Sequence, residues 1–152
     1  MRGTTGIFTA ALAIGLIGAT TAARADGKLG VMDAWIRAAP PGTEMMAGYA
    51  TLKNTGDERI SILTVQSDTF REASIHETIV THDVTKMREL SRLDIEPGET
   101  VEMSPGGRHL MLSGPRHPIA AGEQVGMIFL MTDGKRVQTY FDVIAPDGGS
   151  ND

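Results

Sequence analysis

Two histidines and one methionine in this 152-residue sequence are spaced so that they could share a metal ion. His109 and Met111 are two residues apart in "RHLML". In an extended chain that spacing puts both side chains on one face, with Leu110 and Leu112 on the other. In "SIHET", His76 shares a face with Ser74 and Thr78, while Ala73 and Ile75 share the opposite one. An imidazole beside a thioether makes a soft donor set. Thioethers suit Cu(I) and bind Zn, Mg or Ca poorly. Two nitrogens and two sulfurs would suit Cu(I), whose filled d shell imposes no strong geometry. Thioethers also stay unprotonated in acid and cannot be lost to disulfides, which helps in an oxidising compartment. Taken singly, each residue has a plainer reading: a lone strand histidine as a solvated surface group, a lone methionine as core filler. His82 and His117 read as loop residues, and Met127 and Met131 as core. Met45, Met46 and Met103 carry no assignment from the sequence.

The elements that must position these side chains are short strands. Alternating runs at 30–38, 47–54, 59–66, 70–77, 84–90, 99–103, 108–112, 124–131 and 136–144 are separated by Gly, Pro, Asn and Asp. Turn signals fall at Pro40-Pro41-Gly42, Asn54-Thr55-Gly56-Asp57, Glu96-Pro97-Gly98 and Pro105-Gly106-Gly107, and Asp133-Gly134 marks a hairpin. No window has helical periodicity. Eight or nine strands at this spacing predict a single all-β sandwich or barrel with Greek-key connections. The expected core is Trp35, Ile36, Tyr49, Leu52, Ile62, Leu110, Leu112, Ile128, Leu130 and Phe141. With that core inside, His76, His109 and Met111 face outward or into a shallow depression. Glu77 reads as a solvated strand residue.

Composition narrows the function. There are 14 Lys+Arg against 19 Asp+Glu, so backbone-phosphate recognition of nucleic acid is disfavoured. Cysteine is absent, which removes disulfide scaffolds, thiol nucleophiles, thiolate zinc sites and thiolate blue-copper centres. Residues 1–25 read as a cleaved secretory signal peptide: Arg2, an apolar stretch from Ile7 to Ala19, then Ala23-Arg24-Ala25. The stretch is short of the roughly 20 residues that span a bilayer. Cleavage would leave 12 basic against 19 acidic residues in a soluble exported protein without a membrane span, with a domain over 26–145 and a flexible tail over 146–152.

The full constellation is His76, ten residues, Met87, twenty-one residues, His109, one residue, Met111. This resembles the His-x10-Met-x21-His-x-Met signature of the PCu(A)C-type periplasmic copper chaperones. "AWIRAAPPGTEMMAGYATLKNTGD" is similar to that family's opening strands, "SIHET" to its first ligand strand and "PGGRHLMLSG" to its second. The resemblance implies a cupredoxin-like β-sandwich and a Cu(I) site made by His76, Met87, His109 and Met111. It further implies a periplasmic carrier, not an enzyme, that delivers copper toward the Cu(A) centre of cytochrome c oxidase subunit II beside Sco-type proteins. Some members carry a His- and Met-rich C-terminal extension. The segment after Val143 here has neither residue, so one copper site is expected. The competing readings are a metal-free adhesion or assembly sandwich and a Cu or Zn enzyme using His76 and His109. Methionine ligation and the lack of a third nitrogen or carboxylate ligand speak against a hydrolytic metal site.

Overall fold

The structure, a computed structural model, describes residues 28–146. The expected signal peptide and residues 147–152 of the expected tail lie outside the described residues. Every regular element among those described is a strand. They are β1 (Leu29–Arg37), β2 (Met45–Asn54), β3 (Ile60–Gln66), β4 (Phe70–Thr81), β5 (Val84–Glu89), β6 (Leu93–Ile95), β7 (Thr100–Met103), β8 (Arg108–Pro115), β9 (Gln124–Met131) and β10 (Arg136–Ile144). They join in the order β5-β4-β8-β7-β2-β1-β10-β9-β3-β6, with β8 also pairing β2. Sequence neighbours are often not sheet neighbours, and β3 packs against β4, so the sheet folds over on itself as a β-sandwich around one core. The all-β expectation holds. β6 is the strand the sequence pattern did not reveal, and β4 and β8 run three or four residues longer than the pattern indicated.

Alternation decides what each strand buries. On β2, Met46, Gly48, Ala50, Leu52 and Asn54 face inward. A Cβ at Gly48 would stand 3.3 Å from the Leu110 Cβ, so glycine is what lets β8 lie this close. On β8, Leu110 and Leu112 are fully buried, as is Phe141 on β10. Each large apolar side chain removed from water in this way contributes about 1.5–3 kcal/mol.

The expected core needs two corrections. On β9 the buried set is Val125, Met127, Phe129 and Met131, so Ile128 and Leu130 are on the other face and only partly buried. Met127 and Met131 are core, as their strand suggested. A bulge between Met32 and Trp35, where Asp33 takes φ 49°, shifts β1 by one face. It turns Ile36 inward and leaves Trp35 half-buried on the outside. Tyr49 is buried, but by parity it belongs to the outer face. There its ring lies 4.5 Å from that of Trp35.

The part of the fold that matters most for chemistry is the β5-β4-β8 edge. β4 and β5 form a hairpin closed by Thr81 opposite Val84. His82 and Asp83 at its tip both have positive φ, 50° and 62°, as a two-residue type I′ turn requires. All of β5 is exposed, so the hairpin ends as an arm at the sheet edge.

Candidate metal centre

Antiparallel pairing places β4 and β8 so that His76 stands directly opposite His109, and Ser74 opposite Met111. Directly opposed residues share a face. His76, Ser74, Thr78, His109 and Met111 therefore share the outer face, with Ala73, Ile75, Leu110 and Leu112 behind them. The two imidazoles stack with centroids 5.9 Å apart and planes inclined by 29°. Met111 is diagonal to His76 and two residues along β8 from His109, so these three side chains converge on one patch.

The face agrees with the sequence reading, but the exposure does not. His76 is only 8% exposed and His109 only 7%. Each covers part of the other, and Tyr49 follows Gly48 on β2, which itself opposes Leu110. A partly buried imidazole needs hydrogen-bond partners, and each ring has one. The Nδ1 of His109 lies 3.2 Å from the Gly107 carbonyl, which can only accept, so Nδ1 is the donor and in the neutral ring the lone pair is on Nε2. The same carbonyl accepts the Thr78 backbone N–H at 3.2 Å, tying the β7–β8 turn to β4. The Ser74 hydroxyl lies 3.0 Å from the Nε2 of His76. Both partners fix ring orientation, and the carbonyl also selects the donor nitrogen of His109, whereas the Ser74 hydroxyl can donate or accept.

Met87 is on the same face, opposite Thr78 on β5, and so diagonal to His76 on the side away from Met111. In a flat sheet Met87 and Met111 would stand two strands and four residues apart, roughly 16 Å between Cα atoms. Met87 is 65% exposed. By register the structure sets His109 opposite His76 and places Met111 and Met87 on either side of it, each diagonal to His76 on the outer face, with Met87 on the exposed arm. Among the described residues no three His, Asp or Glu side chains gather to hold a metal ion; by register the neighbours of the imidazole row on this face are Ser74, Thr78, Met87 and Met111, with Glu89 on β5 directly opposite His76.

Behind the imidazole pair, on the core side of the sheet, Glu77 stands opposite both Arg88 on β5 and Arg108 on β8. Its carboxylate accepts a hydrogen bond from Arg88 Nη2 at 2.9 Å and lies 3.4 Å from Arg108 Nε. With a side chain only 23% exposed, Glu77 is not the solvated residue the sequence suggested. It clamps three strands at the level of His76. His82 sits in the hairpin turn and His117 in the β8–β9 loop, both away from the pair, as expected.

The LpqE-like family model matches residues 29–143. A Leifsonia xyli subsp. xyli protein, Lxx21020, named as a lipoprotein, is 32% identical over 144 residues, covering 88% of this chain and 83% of that protein. Among solved structures, the fold is similar to the copper-bound PCuAC domain from PmoF2, with a TM-score of 0.66 at 23% identity over 79% of this chain and 95% of that one. It is also similar to the solution structure of Cu(I)-DR1885 from Deinococcus radiodurans, with a TM-score of 0.60 at 26% identity over 80% and 83%. Both similarities support the cupredoxin-like sandwich.

Proposed function

We propose that this chain, which belongs to the LpqE-like, PCuAC-type family, is an exported Cu(I) carrier that binds one ion through His76, Met87, His109 and Met111. The observation that carries the reading is the pair of stacked, hydrogen-bonded imidazoles with a thioether beside them on the outer face of the sheet. The solved Cu(I) form of a similar protein supports the oxidation state. Met87, diagonal to His76 on the exposed β4–β5 arm, completes the set. The most exposed thioether is also the one that an acceptor can displace first.

Four neutral ligands hold the cation without adding a charge that would trap it. The protein works outside the cytoplasm and hands copper toward the Cu(A) centre of cytochrome c oxidase subunit II, with Sco-type proteins as co-workers. The signal-like residues 1–25 and the lipoprotein name of its relative support export.

Anaerobic titration against a competing Cu(I) chelator tests this. One tight site per chain is expected. Met87→Leu and Met111→Leu, which keep volume and remove sulfur, are expected to weaken binding at least tenfold with the thermal melt unchanged. No Cu(I) uptake, or full affinity in both variants, would overturn the assignment.

A further inference from the structure

Pairing of β2 with β8 brings a further sulfur to the metal face. Ala47 opposes Met111 and Met45 opposes Ser113, so Met45 is diagonal to Met111 on the same outer face. Diagonal neighbours on a sheet are about 7–8 Å apart, within reach of long side chains. The parity is unambiguous, because the next residue, Met46, is 8% exposed in the core while Met45 is 55% exposed. Nothing in the core explains a methionine there. On β4, Glu72 also opposes Ser113, and its carboxylate accepts a hydrogen bond from the Ser113 hydroxyl at 3.5 Å. Met45, Ser113 and Glu72 thus form one row across three strands, next to the row of Ala47, Met111 and Ser74. The row of the two imidazoles follows.

We propose that Met45 is an additional Cu(I) ligand, which shares Met111 with the imidazole site and holds the ion transiently as it enters or leaves. The proposal rests on the Cu(I)-carrier reading and extends it to the route of exchange. Cu(I) tolerates low coordination, so two thioethers can hold it briefly without an imidazole. Met111, common to both positions, lets the ion pass from the Met45 side to His109 and His76 by replacing one donor at a time. No electron is transferred and no covalent bond of the protein changes. Glu72, exposed one strand from Met111 and two from Met45, adds a negative charge that favours a cation on this face. Two methionines without an imidazole bind more weakly than the four-ligand set. The outer position therefore governs the rate of exchange and contributes little to affinity.

The experiment uses Met45→Leu, with Met32→Leu as control, since Met32 is a 44% exposed methionine on β1 opposite Thr51, remote from the imidazoles. Cu(I) is passed anaerobically from the loaded protein to excess chelator in a stopped-flow instrument. Met45→Leu is expected to slow transfer by about tenfold while equilibrium affinity changes by less than about twofold, and Met32→Leu to change neither. In protein labelled with 13C at the methionine methyls, the Met45 resonance is expected to shift as Cu(I) exceeds one equivalent. Wild-type transfer rates in Met45→Leu, with an unmoved Met45 methyl, would overturn this proposal and leave the carrier reading standing. A wild-type chain that binds no Cu(I) would overturn both.

Discussion

Replacing Glu77 by glutamine tests the clamp behind the metal face. The substitution keeps the shape of the side chain and removes the charge that stands between Arg88 and Arg108. The two arms of the clamp differ. Arg88 is 63% exposed, so its ion pair at 2.9 Å contributes only about 0.2–1 kcal/mol. Arg108 Nε is a buried atom with no hydrogen-bond partner, and the Glu77 carboxylate at 3.4 Å is its compensating charge. A buried polar group left without compensation costs about 1–3 kcal/mol. Because the Arg108 side chain is itself 40% exposed, the loss is expected to be about 1–3 kcal/mol. For the 119 described residues, an unfolding entropy near 2.1 cal/mol/K per residue converts this to a fall in Tm of roughly 4–12 °C. Calorimetry of the metal-free variant reads it directly, with Glu89→Gln as the comparison, since Glu89 is exposed opposite His76 on the other face. A fall smaller than about 2 °C would refute the argument, because Arg108 would then be as well solvated without Glu77 as with it.

Two further outcomes follow from the same reasoning. The metal-free protein is expected to be fully folded, because its buried core includes no proposed ligand except the rims of the two imidazoles. Cu(I) at a hundredfold excess over its dissociation constant should add about 2.7 kcal/mol, roughly 11 °C in Tm, with an unchanged circular dichroism spectrum; a spectrum that becomes β-rich only with copper would contradict this. The Asp94 carboxyl is held below its ordinary pKa chiefly by the Ser61 hydroxyl, which donates to it at 2.6 Å, with Arg92 and Arg59 adding to the effect. A depressed pKa stabilises the fold above the unfolded-state value near 3.9 and loses that contribution as pH falls through the folded-state value. Asp94→Asn should therefore cost no more than about 1 kcal/mol at pH 7 and nothing once Asp94 is protonated in the wild type. A cost that persists unchanged into acid would refute the charge-based account.

What the sequence made legible was local. Alternation in "SIHET" and "RHLML" assigned the outer face to His76, His109 and Met111 because a two-residue period needs no tertiary information. It could not reveal that His76 stands opposite His109, since register between β4 and β8 joins residues 33 positions apart. Nor could it reveal burial of the two rings, which depends on what the neighbouring strands place beside them. "QVGMIFLM" is apolar on both parities, so the choice of Ile128 and Leu130 as core was open to error until β9 was paired with β3 and β10. The three residues of β6 are too few to display a period, and the bulge at Asp33 has no signal in composition. Met111 was readable because His109 is two residues away on the same strand, whereas the role proposed for Met45 depends on a partner on another strand. The outer face therefore has a logic that only the paired sheet displays. The proposed donors, set on the face opposite the core, can exchange partners and change coordination without repacking Leu110, Leu112 or Ile75 behind them. A carrier must remain folded whether loaded or empty, and ligands built into the core would tie its stability to its cargo.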